Sequence, residues 1–291
     1  MDSLFQSIED WLKEVLISGI MDNLSGAFDS VNQQVGQITA NVSTSPASFL
    51  PSVYSLIRTI SENVILPVAG IILTFIACYE LIQLVISHNN LANFETWIFW
   101  KWVFKTFVAV CLISNTFNIT MAVFDVGQWV VQRSGSIISG STAIDDSTLA
   151  TMRSTLETLG PGTLLSIFLQ SFIVQIGIHI LSIAIFVIIN GRMIEIYLYT
   201  SMAPIPFATF GNKDQSMMGQ NYLRSLFALA FQGFLIMICV GIYAVLITRV
   251  AFTSDITGSL WNVLGYTGYT VLLAFTLFKT GTIAKSILHA N

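Results

Sequence analysis

The sequence has little charge. Only 10% of its 291 residues are Asp, Glu, Lys or Arg, whereas soluble globular domains carry about 25%. Hydrophobic residues make up 54% of the chain, and the mean hydropathy is +0.75. A deficit of charge this large, spread over most of the chain, means that much of the surface faces lipid. We therefore expect an all-α polytopic membrane protein.

Clusters of basic residues are also lacking. The 12 Lys and Arg residues are scattered, and the formal net charge is −4. Tight DNA binding relies on clustered cations that neutralise phosphates, so the sequence argues against a stable DNA complex. No glycine-rich loop ends in Gly-Lys-Ser or Gly-Lys-Thr, which argues against nucleotide binding.

Cysteine and histidine are too sparse for a metal or disulfide framework. Cys78, Cys111 and Cys239 each lie in an apolar run, and an odd number of cysteines does not suit a disulfide scaffold. We expect them to be small core residues. The three histidines are far apart, and no metal-ligand spacing or nucleophile–base pair is evident. The sequence therefore predicts no cofactor and no enzymatic activity.

The first 60 residues are predicted to form an amphipathic helical region and a linker, distinct from a membrane domain at 61–291. Steps of three and four residues indicate a narrow apolar seam on one helix face. This seam contains Met21, Leu24, Phe28, Val31, Val35 and Ile38. It suits either a surface helix lying on the membrane domain, or a helix that self-associates or contacts an extracytoplasmic partner. Pro46 and Pro51 interrupt the linker at 41–52.

Four segments are long enough to cross a hydrocarbon core of about 30 Å, which takes about 20 helical residues. A fifth, near 101–124, is less apolar but is flanked by Trp97, Trp100 and Trp102, an aromatic cluster typical of the lipid–water interface. These predicted spans are residues 64–86, 101–124, 163–189, 223–248 and 260–279. Between the second and third spans, residues 125–162 are rich in Ser, Thr and Gly. They predict a hydrophilic loop with a short helix at 147–158.

A further apolar run at 193–210 contains Pro204 and Pro206. Proline removes a backbone donor and clashes with the preceding helical turn, so this pair should break or bend a helix. The run is either a sixth crossing or a kinked or re-entrant segment beside five. Counting the basic residues of the loops gives the same score for both arrangements, and both place the C-terminus in the cytoplasm.

The third predicted span carries a polar stripe. Ser171, Gln175, His179 and Ser182 are spaced to lie on one helix face, and Gln232 lies inside the fourth span. Polar side chains in membranes commonly form hydrogen bonds between helices. The alternative is that these residues line a pore or a subunit interface.

The segment "NGRMIEIYLYTSMAPIPFATFGNKDQSMMGQNYLRSLFALAFQGFL" at 190–235 leads a membrane helix into an Ala203-Pro204 break, then a short polar loop, then another span. This layout resembles the TrbL-like inner-membrane subunits of conjugative type IV secretion systems, of the type found on Gram-positive mobile elements. The likeness covers most of the chain, and its motif is diffuse.

The resemblance implies a multi-pass cell-membrane protein that helps DNA, with an attached relaxase, to leave the donor cell. It implies a homo-oligomer, with a pentamer as one option, and partners that include secretion ATPases, a coupling protein and other membrane subunits. It also implies five spans with an external N-terminus. The lack of basic residues suits either a neutral route that DNA contacts only transiently or a scaffold that never touches DNA.

A different class of function competes with this interpretation. The chain is alternatively a secondary transporter or an ion channel, with a discontinuous helix at Pro204–Pro206 near its site. Transporters usually show an internal repeat, and comparison of residues 60–130 with 163–280 reveals none. The first hypothesis is therefore a channel or scaffold subunit of a conjugation machine.

Overall fold

All regular structure in the described residues is helical. The computed structural model describes residues 2–87, 96–138, 146–212, 215–251 and 259–290. The helices are α1 (Asp2–Val42), α2 (Pro46–Phe49), α3 (Pro51–Ile60), α4 (Leu66–Ser87), α5 (Thr96–Ser114), α6 (Thr116–Ile138), α7 (Asp146–Glu157), α8 (Pro161–Met202), α9 (Pro204–Ala208), α10 (Ser216–Ala251) and α11 (Ser259–Ile287). A π-helical turn at Ser61–Ile65 joins α3 to α4, and a 3₁₀ turn at Thr209–Gly211 follows α9.

Within the described residues, four helical segments are long and apolar enough to cross a membrane: Pro51–Ser87, Thr96–Ser114, Pro161–Gly211 and Ser216–Tyr243. The all-α polytopic fold predicted from composition is thereby confirmed. The predicted last span, 260–279, lies within α11 and is not among the four. The structure describes the backbone of residues 259–267 but not their side chains.

The second predicted span and the loop after it are divided differently from the prediction. Helix α5 ends at Ser114, ten residues before the predicted end of the span, and α6 continues to Ile138 through the first part of the predicted loop. The break follows from polar side chains that compete for helix carbonyls. Asn115 Nδ2 donates to the Cys111 carbonyl at 2.9 Å, and Thr116 Oγ1 donates to the Ile113 carbonyl at 2.8 Å. The predicted short helix at 147–158 is confirmed as α7.

A separate sixth crossing at 193–210 is wrong, because α8 runs without a turn from Pro161 to Met202. Its 42 residues span about 63 Å at about 1.5 Å per residue, roughly twice the thickness of the hydrocarbon core. Residues 190–202 therefore extend the helix beyond the third predicted span, 163–189, and lead directly into the proline segment.

The two linker prolines begin helices. Pro46 is the first residue of α2 and Pro51 is the first of α3. Proline suits this position because its fixed φ is already helical and the missing N–H would have had no partner inside the helix. Ser45 caps α2, since its side chain accepts a hydrogen bond from the Ser48 N–H at 3.2 Å.

The chain divides into two compact units. The first comprises residues 1–42, 131–189 and 235–280, and the second comprises residues 43–130, 190–234 and 281–291. In the first unit, a buried cluster joins α1 to α7 and to the beginning of α8. This cluster contains Leu16, Ile17, Ile20, Leu156, Leu164 and Ile167.

The second unit contains two buried clusters. One joins α6, α8 and α10 through Phe124, Met193, Ile196, Tyr197, Leu226, Leu229 and Ala230. The other joins α4, α5 and α9 through Ala69, Leu73, Ala109, Ile113, Phe207 and Ala208. The proline segment α9 is thus part of a packed apolar core.

The cysteines were predicted to be small core residues, and this is wrong for two of them. Cys78 on α4 and Cys111 on α5 are exposed, and Cys239 on α10 is partly buried. All three thiols are free. A cysteine inside an apolar run need not face the core, because a lipid-facing side of a helix is as apolar as a buried one.

Candidate functional site

The four residues of the polar stripe predicted on the third span differ in their exposure. Ser171 is buried, Gln175 and Ser182 are partly buried, and His179 is exposed. Both serines contact α1. Asn23 Nδ2 donates to Ser171 Oγ at 3.0 Å, and Gln34 Nε2 donates to Ser182 Oγ.

These two hydrogen bonds define how α1 and α8 pack. Each joins residues 148 positions apart. The pairs are separated by 11 residues on both helices, which is close to three helical turns. Two helices that keep a constant offset over this distance run parallel and in register. Helix α1 therefore follows α8 along the third predicted span.

Gly19 of α1 lies against the ring of Phe168 on α8. A Cβ at this position would lie 2.6 Å from Cε2 of that ring, well inside van der Waals contact, so the side chain of Phe168 would have to move. The hydroxyls of Ser171 and Ser182 also donate to carbonyls of their own helix, those of Phe168 at 2.8 Å and Ile178 at 3.1 Å. Each serine thus donates within α8 and accepts from α1.

The predicted N-terminal seam is placed only in part. Met21 and Leu24 pack beside the α1–α7–α8 cluster, and Ile38 is buried. The side chains of Phe28, Val31 and Val35 lie outside the described ones, although the backbone of all three is helical. The structure therefore gives this part of α1 an intramolecular partner, the membrane helix α8.

The linker lies at the far end of α8. The Tyr197 hydroxyl donates to the Pro46 carbonyl at 2.7 Å, and Tyr197 lies beyond residue 189, where the third predicted span ends. The linker therefore contacts the part of α8 that follows the third predicted span.

The remaining polar residue predicted to pack between helices or to line a pore, Gln232, belongs to the second unit. It is buried on α10, and a Cβ at Gly281 of α11 would lie 3.2 Å from its Nε2 atom. This close contact between an amide side chain and a glycine is a helix-packing arrangement.

The proline segment forms a buried corner. Helix α8 ends at Met202, and α9 begins at Pro204. Without the two proline N–H groups, the Thr200 carbonyl accepts a hydrogen bond from the Ala203 N–H at 3.3 Å. Ala203 keeps right-handed helical dihedrals, so the backbone at this break remains helical in conformation.

Thr209 and Gly219 hold α10 against this corner. Thr209 Oγ1 donates to the Pro206 carbonyl at 2.8 Å and accepts from the Gly219 N–H at 3.2 Å. A Cβ at Gly219 would lie only 2.8 Å from the Pro206 carbonyl oxygen. Only glycine therefore permits this approach without a backbone shift.

Sequence reasoning missed two ion pairs. Lys105 Nζ on α5 contacts Glu80 Oε1 on α4, and Lys285 Nζ on α11 lies 3.0 Å from Glu195 Oε1 on α8. The sequence shows these charged residues one at a time among apolar neighbours. It gives no local pattern that predicts a pair between residues 25 positions apart, as for Lys105 and Glu80, or 90 positions apart, as for Lys285 and Glu195. Lys285 lies after the predicted span 260–279, and its hydrogen bond with Glu195 raises the pKa of its ammonium group.

No group of three or more metal-ligand side chains occurs in the part of the chain that the structure describes. The described site consists of helix contacts: a parallel α1–α8 pair in one unit and a buried proline corner in the other.

Comparison with known proteins identifies the family. No curated protein and no solved structure matches the chain at a significant level. The family described as TrbL/VirB6 plasmid conjugal transfer-like protein matches residues 31–204, more than half of the chain. The match runs from the second half of α1 to the first proline of α9. It is a family of structural transfer-system subunits, not of known enzymes. The chain therefore belongs to the TrbL/VirB6 plasmid conjugal transfer-like family, and it is a membrane subunit of a conjugal transfer system.

Proposed function

We propose that this protein is a channel or scaffold subunit of a conjugative type IV secretion system, and that it helps DNA–protein complexes to cross the donor membrane. The family match over residues 31–204 carries this proposal. We further propose that the subunit assembles as a homo-oligomer, with a pentamer as the working hypothesis. Its partners would be the secretion ATPases, the coupling protein, other membrane subunits and lipids.

Exposed apolar side chains support an assembled, membrane-embedded state. Large hydrophobic residues are exposed along the outer faces of several helices of the isolated chain, including Phe75 and Ile82 on α4, Phe104 and Phe107 on α5, and Phe186 on α8. Exposed apolar side chains in this number fit lipid or another subunit rather than water. We propose a cytoplasmic C-terminus, as the positive-inside rule predicts.

The role is proposed to be non-enzymatic, with DNA contacted at most transiently. The alternative, a secondary transporter or ion channel, requires a discontinuous helix whose ends meet an ion or a substrate. At the proline break, Pro204, Pro206, Phe207 and Ala208 are buried, and α9 packs against apolar side chains of α4 and α5. A break filled in this way supports a structural corner more than a solute site.

The test is deletion of the gene from its mobile element, followed by counting of DNA transfer to recipient cells. We expect transfer to fall to background while donor growth stays normal, and we expect wild-type protein supplied in trans to restore it. Unchanged transfer would refute the proposal, and measurements of solute and ion flux would then address the transporter alternative.

Crosslinking would separate a channel from a scaffold. A photoreactive amino acid at Gln33, an exposed polar residue of α1, compared with one at Ile180, an exposed apolar residue of α8, asks whether the transferred strand passes the polar side of α1. Crosslinks to DNA at Gln33 alone would favour a channel. Absence of crosslinks at both positions during active transfer would favour a scaffold.

A further inference from the structure

Helix α1 presents a continuous polar face that is not packed against the rest of its unit. Five exposed residues are spaced by four, seven, four and four positions, which places them on one side of the helix. This polar face of α1 consists of Ser18, Asp22, Asp29, Gln33 and Gln37. It points away from the buried side of α1, where Leu16, Ile17, Ile20 and Ile38 lie.

The register between α1 and α8 fixes where this polar face lies along the length of the third predicted span. With an offset of 148 residues, Asp22 is level with Gln170 and Asp29 is level with Gly177. The third predicted span, 163–189, has its midpoint at residue 176. Asp29 is therefore level with the centre of the third predicted span, which belongs to the segment of highest hydropathy among the four candidate spans of the described residues.

At the same level, α8 presents an exposed face of the opposite character. This apolar face of α8 consists of Phe172, Ile173, Ile176, Ile180 and Ile183, and the exposed His179 lies at its edge, on the side of the serines that contact α1. Ile180 and Ile183 are 63% and 66% exposed. Such a row fits contact with lipid, and it supports a position of this part of the unit within the membrane.

Two exposed faces at one depth thus require different surroundings. Carboxylates are costly in hydrocarbon, and ionisable groups at membrane depth turn towards water or towards the interior of a bundle. Within the described residues, neither Asp22 nor Asp29 belongs to an ion pair. We propose, on the basis of the proposed function, that the polar face of α1 lines a water-filled conduit between copies of the subunit, while the apolar face of α8 meets lipid.

The chemistry of this lining follows from its side chains. The polar face of α1 carries two carboxylates and no cation, and the one basic residue of α1, Lys13, lies before it and pairs with Glu9 at 3.8 Å. A weakly anionic, hydrated wall repels phosphate and does not retain a polyanion. It suits passage of a DNA–protein complex without binding. Residues 15–41 then lie at membrane depth rather than wholly outside the cell.

Cysteine accessibility tests this assignment in donor cells that carry the complete transfer system. Cys78, Cys111 and Cys239 are first replaced by Ser, and transfer is checked. Single cysteines are then introduced by Asp29→Cys and Gln33→Cys on the polar face, with Ile176→Cys and Ile180→Cys as controls at the same depth. The probe is a charged, membrane-impermeant methanethiosulfonate, and its reaction rate is measured at each position.

We expect the polar-face cysteines to react at least tenfold faster than both controls. Equally slow reaction at all four positions would overturn the proposal, because the polar face would then be covered by lipid or protein. Equally fast reaction at all four would also overturn it, because this part of α8 would then lie in water outside the bilayer. Either result leaves the role in transfer intact, since that role is decided separately by the gene deletion.

Discussion

Replacement of Gly127 by alanine should destabilise the second unit, although alanine is the better helix former. Gly127 lies on α6, where its backbone meets α10. A Cβ at this position would lie 2.8 Å from the carbonyl oxygen of Ala230 and 3.1 Å from its carbonyl carbon. Ordinary carbon contacts are about 3.5–4.0 Å, and a carbonyl within a helix cannot rotate away. Helices α6 and α10 must therefore separate locally.

The size of the effect follows from two opposing terms. Overpacking of this kind costs about 1–3 kcal/mol, and the exchange of glycine for alanine in a helix interior contributes about 1 kcal/mol in the other direction. Gly191 on α8 provides a matched control, because it is exposed, helical and has no atom within 4 Å of a Cβ. Both variants share the propensity gain, so their difference isolates the packing cost of about 1–3 kcal/mol.

Thermal unfolding of the purified protein in detergent, followed by circular dichroism, measures this difference. We expect Gly191→Ala to unfold at or slightly above the wild-type temperature and Gly127→Ala to unfold several degrees lower, at about 2–4 °C per kcal/mol for a chain of this size. If Gly127→Ala is as stable as Gly191→Ala, then α6 and α10 do not pack as closely as described, and the reasoning is refuted.

Two further predictions concern polar contacts. A double-mutant cycle of Asn23→Ala and Ser171→Ala, read by the same unfolding assay, should give a coupling energy of about 0.6–1.7 kcal/mol; additive effects would show that α1 and α8 are not joined there. Replacement of Lys285 by Met should cost at most about 1 kcal/mol, because the Lys285–Glu195 pair is partly exposed, at 40% and 37%. The pKa of Lys285 is raised in the folded protein. The ion pair therefore contributes its full stabilisation at pH values below the unfolded pKa of about 10.4. This stabilisation is lost as the pH rises through the pKa of Lys285 in the folded protein. The stability difference between wild type and Lys285→Met should therefore be constant near neutral pH and disappear in strong alkali; a difference that instead disappeared between pH 5 and 8 would contradict this assignment.

Helix boundaries show where local sequence was sufficient and where it was not. The short helix α7 was predicted, because a single helix beginning depends on a few neighbouring side chains. The division at Asn115 was missed, since hydropathy averages over the polar residues at 115 and 116 that end α5. The continuation of α6 to Ile138 was missed as well. Its residues read as a polar loop, but Val131 is buried and Gly127 packs on Ala230.

For the candidate residues too, local spacing predicted one part of the arrangement and contacts between distant residues decided the other. Spacing placed Ser171, Gln175, His179 and Ser182 on one face of a helix, and the structure adds which of them meet α1. No local pattern joins Asn23 to Ser171 across 148 positions, because a hydrogen bond between helices depends on their register. The stripe therefore could be found from sequence, but its partner could not.

The sequence by itself determined that this is an all-α membrane protein with few and scattered basic residues, since lipid exposure is recorded in composition and each helix forms its hydrogen bonds within one segment. Only the tertiary structure decided that α8 continues through residues 190–192, that Pro204–Pro206 forms a buried corner, and that α1 runs at the level of the third span. These features depend on contacts between residues far apart in the chain. Hydropathy also cannot tell an apolar side chain that faces lipid from one that faces another helix, because both surroundings are equally apolar.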